Sequence, residues 1–176
     1  MKKEEIAKIL QDNHEQFIEL IRKLSDAEFC YAPKGKWSAA QQLDHLVRSV
    51  SPVNMALGIP KFILQWRFGK ANRPSKTYEA LIEKYTNKLM EGGRASGRFI
   101  PPPIQANQKE KLTNQLSQLV KKLSNKTKNN SEVALDTYIL PHPLLGKLTL
   151  REMLYFTAYH VLHHQQLVEK GLAELK

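Results

Sequence analysis

Six histidines are spread over this chain of 176 residues, and three stand within YHVLHHQQL, residues 159–167: His160, His163 and His164. An α-helix turns about 100° per residue, so His160 and His164 share one face, about 40° apart. His163 is turned about 100° away, toward solvent. Two imidazoles one turn apart can reach a single divalent ion, with nitrogen–zinc distances of about 2.0–2.1 Å. Two ligands seldom hold such an ion, so a third is required. His45 is the best candidate, because it lies off the apolar stripe of its own helix, beside Gln41 and Ser49. Three histidines leave a coordination position open, as catalytic rather than structural zinc sites do. Met153 and Thr157 share the inward face of the His160–His164 helix, and with Gln41 and Ser49 they form a candidate pocket lining. The competing reading is two ordinary helix histidines and an unrelated third. His14 is a reserve ligand or pocket residue, and His142, between two prolines, belongs to a loop. Three imidazoles suit zinc or nickel, and also iron or copper. No catalytic residue can be named: Asp44 lies elsewhere on its helix, and Glu152 is committed to a helix cap.

Positioning these residues falls to helices. Residues 3–25 repeat apolar side chains at three- and four-residue spacing. Ser38 with Gln41 three positions on has the form of a capping box and opens a second helix, bearing His45. Pro52 falls inside that helix and should kink or end it. Trp37, just before the cap, is placed to staple onto the first turn. GIPKFILQWRFG (58–69) could be a helical turn or a loop. A further helix runs from Tyr78 to the Gly92–Gly93 pair, and RASGRFIPPP (94–103) is a loop, since three consecutive prolines forbid regular helix. Asn107 with Glu110 starts another helix, which SNKTKNN (124–130) ends. PHPLLGKLT (141–149) reads as turn material, Thr149 with Glu152 caps the last helix, and Gly171 closes it. No convincing strand pair appears. One domain over residues 1–176, an all-α four-helix bundle with crossover connections, is the expected architecture.

Composition narrows the function classes. No run of about 18 apolar residues could cross a membrane, and the acid-containing N-terminus does not read as a secretory signal. One cysteine, Cys30, rules out a disulfide framework or a multi-cysteine metal site and fits a cytoplasmic location. The net charge is +10 and is concentrated: residues 61–130 hold fifteen basic and four acidic side chains. A field of that kind attracts anions. Nucleic acid is a poor match, because no recognition motif accompanies the charge. The alternative to an enzyme is therefore a non-catalytic binding protein that docks an anionic partner through residues 61–130.

WSAAQQLDHLV (37–47) resembles the start of the second helix of DinB-like (YfiT-like) proteins, where a tryptophan–serine pair precedes a helix bearing a metal histidine. HPLLGKLTLREMLYFTAYHVLHHQQL (142–167) resembles the last-helix region of the same superfamily, with its Pro/Gly turn, helix start and HxxxH pair. Together the two stretches cover about a fifth of the chain, with their histidines about 115 residues apart. The resemblance implies a four-helix bundle, often dimeric, with one divalent metal held by His45, His160 and His164. It implies activities ranging from metal-dependent hydrolysis to transfer or isomerisation with a low-molecular-weight thiol, on a small-molecule substrate. No carboxylate stands out as a general base, which weakens a hydrolase reading and leaves a metal-activated thiol open.

Overall fold

The computed structural model describes residues 1–175. Four long helices make the frame: α1 (Lys3–Lys23), α3 (Ala39–Leu57), α6 (Lys109–Asn129) and α8 (Leu150–Ala173). They close a ring, with α1 and α3 each packed between α6 and α8. Shorter helices fill the connections: α2 (Asp26–Cys30), α4 (Lys61–Phe68), α5 (Tyr78–Met90) and α7 (Glu132–Thr137). The fold is all-α, as the periodicity predicts. Its buried apolar side chains form one cluster, including Leu10, Phe17 and Ile21 of α1, Leu43 and Leu46 of α3, Leu116 and Leu123 of α6, and Leu154 and Val161 of α8. Each such Leu or Ile contributes about 1.5–3 kcal/mol when removed from water.

Capping chemistry sets where the site-bearing helices begin. Ser38 accepts from the Gln41 amide while the Gln41 side chain accepts from the Ser38 amide. Thr149 and Glu152 repeat this reciprocal arrangement at α8. Glu152 is fully buried, and its charge is met by Arg73 at 2.6 and 3.0 Å and by the Lys76 amide at 2.8 Å. Those bonds hold its carboxyl below the usual range despite burial. The start of α8 is thus tied to the strap preceding α5.

Several local expectations are corrected. Of the two outcomes expected at Pro52, an end does not occur there, since α3 runs on to Leu57. The proline forfeits one helical bond, but Val50 and Val53 on either side are buried in the core, which holds the helix together. The ambiguous 58–69 stretch contains a helix, α4. The turn-like 141–149 stretch instead belongs to a short antiparallel hairpin, β1 (Ile139–His142) with β2 (Gly146–Thr149), Leu140 opposite Leu148. Two four-residue strands interrupted by proline leave no alternation to read, and the pair is held by burying Leu140 and Leu148. The cap before α6 is Gln105 with Gln108, ahead of Asn107 and Glu110, through a single 3-10 turn. Helix α8 passes Gly171 and extends to Ala173.

Candidate metal centre

His45 on α3 and His160 and His164 on α8 come together. One nitrogen from each lies within 4.8 Å of the others, and all three rings are buried. The Nε2 atoms of His45 and His160 are 3.3 Å apart, and those of His160 and His164 are 2.9 Å apart. Nitrogens sharing one tetrahedral zinc at about 2.0–2.1 Å stand about 3.3 Å from each other. The spacing of the cluster therefore suits a single ion.

The outer ring nitrogens explain why the inner ones converge. His45 donates through Nδ1 to the Phe99 carbonyl at 2.7 Å, and His164 donates through Nδ1 to the Gln42 side-chain oxygen. Each bond places the proton on Nδ1 and leaves a bare lone pair on Nε2, the tautomer a metal requires. Two bare lone pairs then face Nε2 of His160. That atom must supply a proton to one of them, or the three must share a cation. Burial lowers the proton affinity of all three rings; His160 and His164 are also disfavoured as cations by neighbouring histidines. Neutral imidazoles are the metal-binding form. Donor type, neutral charge state, separation and the tautomers of His45 and His164 fit a divalent ion, and the proton that Nε2 of His160 holds between them must leave that nitrogen when one binds; the donors do not select the identity of the ion.

A cavity of about 900 Å³ opens onto the cluster, within the range of small-molecule sites. Of the predicted lining, Ser49 and Met153 are on its wall, and the Ser49 hydroxyl is 3.4 Å from Nε2 of His45. Gln41 and Thr157 are not on it. Gln41 is used by its capping box, and the Thr157 hydroxyl is turned back onto the Met153 carbonyl at 2.8 Å. The residue one position on, Gln42, takes the place expected for Gln41. Trp37 is a pocket wall rather than a staple: its ring centroid is 5.1 Å from that of His45, and the staple position four residues into the helix is the polar Gln42. His163 is not swung into solvent. It is half-buried on the cavity wall, 5.8 Å from the Tyr85 ring, because α5 covers that side of α8.

The remaining histidines separate. His14 is wholly buried on α1 and stands outside the three-histidine cluster, so it is no ligand there. His142 ends β1 and lines the cavity, and its Nδ1 accepts from the Leu144 and Leu145 amides at 3.2 and 3.1 Å. Burial, helped by Lys84, brings its pKa down to about 4, so the neutral ring carries its proton on Nε2. Sequence reasoning missed Gln42, His142, Tyr85 and the Phe99 carbonyl. Gln42 had one usable signal: a glutamine at the third helical position is committed to its cap, leaving its neighbour free.

The family model of the DinB superfamily matches residues 9–168, most of the chain. The chain belongs to the DinB superfamily. No curated protein matches it. In this DinB chain no described helix is long and apolar enough to cross a membrane. Several cations of the basic middle of the sequence are engaged within the fold. Arg73 is locked to Glu152, Lys84 donates to the Leu145 carbonyl, Lys109 pairs with Asp26, and Lys126 donates to the Asn54 carbonyl. Arg94 and Arg98 instead stand on the wall of the histidine cavity.

Proposed function

We propose that this protein is a metal-dependent enzyme of the DinB type that binds a small molecule in the cavity over His45, His160 and His164. The observation carrying this reading is the convergence of three buried Nε2 atoms, with the outer nitrogens of His45 and His164 engaged elsewhere. A divalent ion held by three imidazoles, zinc or nickel by preference, supplies Lewis acidity and lowers the pKa of a coordinating water or thiol toward neutrality. Gln42 and the Phe99 carbonyl orient the ligands, and the burial of all three rings keeps them neutral. Trp37, Tyr85 and Phe156 wall the cavity against bulk water. Burial pushes the Tyr85 phenol up, so it stays protonated at neutral pH.

Between the activities open to such a site, thiol-dependent transfer or isomerisation fits better than hydrolysis. Hydrolysis calls for a general base beside the attacking water; among the described residues no aspartate or glutamate lines the cavity, and of the imidazoles there outside the cluster His142 has its Nδ1 taken by two amides, which leaves His163 as the base that hydrolysis would need. Asp44, the acid nearest in sequence, is paired with Arg48 at 2.5 Å, and Glu152 is held by Arg73. A low-molecular-weight thiol needs no such base once its pKa is lowered. The resemblance on which this reading draws also extends to a homodimer, to be checked by light scattering.

Metal analysis of untagged protein purified without chelator, beside the H45A/H160A/H164A variant, tests the centre. Equal metal in the two overturns the reading. Consumption of a low-molecular-weight thiol with an alkylating electrophile, dependent on added zinc or nickel, tests the chemistry; a rate unchanged by the metal rejects it.

A further inference from the structure

We propose that the segment Arg94–Phe99 makes the histidine cavity selective for a substrate bearing a carboxylate on an apolar body. The proposal rests on the functional reading above only in assigning the substrate to this cavity.

The charged side chains on the cavity wall are Lys36, Arg94 and Arg98, and among the described residues no acid stands with them. Lys36 is paired with Glu174. Arg94 and Arg98 have no carboxylate partner among the described residues, whereas the framework arginines Arg48, Arg73 and Arg151 each do. Two uncompensated guanidinium groups at a concave site favour an anion, and their planar forks match a carboxylate bidentately.

The arginine-bearing segment is anchored. The Arg98 carbonyl accepts from Arg48 at 3.2 Å, and the next carbonyl, of Phe99, accepts from His45 at 2.7 Å. The Arg98 guanidinium also lies over the Phe99 ring, 5.1 Å from its centroid. The same short turn that orients a histidine of the cluster therefore holds Arg98 at the wall, so its cation and the cluster keep a fixed relation, with Arg94 on the same wall three residues before the turn. Beyond the arginines the wall is apolar and aromatic, with Trp37, Met55, Ile59, Tyr85 and Phe156. An apolar body is favoured there, while a positive charge on it would meet no acidic partner among the described residues. The cavity's size suits a small molecule rather than a macromolecular segment.

The test compares 4-phenylbutyrate with 4-phenylbutan-1-ol, matched in body and differing in charge, by calorimetric titration of the full chain. Both metal-free and zinc-loaded protein are titrated. The carboxylate is expected to bind about tenfold more tightly than the alcohol in both forms, as a charge-assisted pair allows. R94Q/R98Q should abolish that difference while leaving metal content and thermal midpoint unchanged, both arginines being exposed. K121Q/K122Q removes equal charge from the exposed face of α6, which contributes nothing to the cavity wall, and should retain the difference. A carboxylate that binds no better than the alcohol, or not at all, overturns the proposal. So does equal loss in the two double variants, which would assign the preference to the general field. A preference seen only with zinc and surviving R94Q/R98Q makes the carboxylate a metal ligand: the arginine proposal fails and the metal reading stands. A preference in protein that takes up no zinc, lost in R94Q/R98Q, has the reverse meaning.

Discussion

Two regions of this bundle bury histidine, and they bury it differently. On α1, His14 is fully enclosed; its Nδ1 donates to the Leu10 carbonyl at 2.7 Å, and its Nε2 has no hydrogen-bond partner among the described residues. On α3 and α8, three rings are enclosed just as well, but their inner nitrogens face each other and two of the outer ones are anchored. Burial lowers the proton affinity of every ring in both places. A depressed pKa alone therefore does not mark a site. What distinguishes the α3–α8 region is convergence of lone pairs beside a cavity.

The sharpest way to break this contrast is to remove rings one at a time and measure metal stoichiometry after dialysis. H45A, H160A and H164A should each lose most of the bound metal, about tenfold or more, since two imidazoles hold a divalent ion poorly. H14A and H163A should retain it. Retention by the first three, or loss in H14A, would erase the distinction between the regions.

A separate effect, on stability rather than on metal, belongs to His14. Burial brings its pKa from 6.5 to about 4. Between those values the unfolded chain binds a proton that the folded chain refuses, so stability falls as pH drops through this window and levels off below it. With about 1.4 kcal/mol per pH unit, the loss is about 3 kcal/mol. His142 and the cluster add acid sensitivity of the same sign, so the wild type must be compared with H14L by urea unfolding at pH 7.5 and pH 4. H14L should lose about 3 kcal/mol less than wild type over that range, and an identical acid limb would count against a neutral buried His14.

Next in size is the support behind His164. Gln42→Leu removes the acceptor that fixes its tautomer and should weaken metal affinity about 10- to 100-fold, as loss of such partners commonly does. Competition with a chelator measures this, and Gln42→Glu, which keeps an acceptor, should bind close to wild type. Trp37→Ala should show the smallest stability change. It opens the cavity wall, so ligand binding should weaken while the thermal midpoint moves by no more than about 2 °C, an expectation for a half-buried side chain outside the core. A large drop in midpoint with unchanged binding would restore the staple.

The sequence by itself determined the four long helices and α5, two of the caps and the pair His160–His164, because helical periodicity and capping are local properties of a few neighbouring residues; the short α2, α4 and α7 span too few turns to show a period. It also singled out His45, an imidazole off the apolar stripe with no packing reason to be there. Tertiary structure decided the rest. Whether Gln41 or Gln42 meets the cluster depends on the rotation of α3 against α8, which core packing sets. His163 lies on the cavity wall because α5 covers it, and no residue near His163 in sequence announces α5. The hairpin exists because Leu140 and Leu148 are buried together, a contact that eight residues of proline-broken pattern do not signal. The Phe99 carbonyl carries no side-chain signature at all: a backbone acceptor 54 residues from His45 becomes its partner only when the chain has folded.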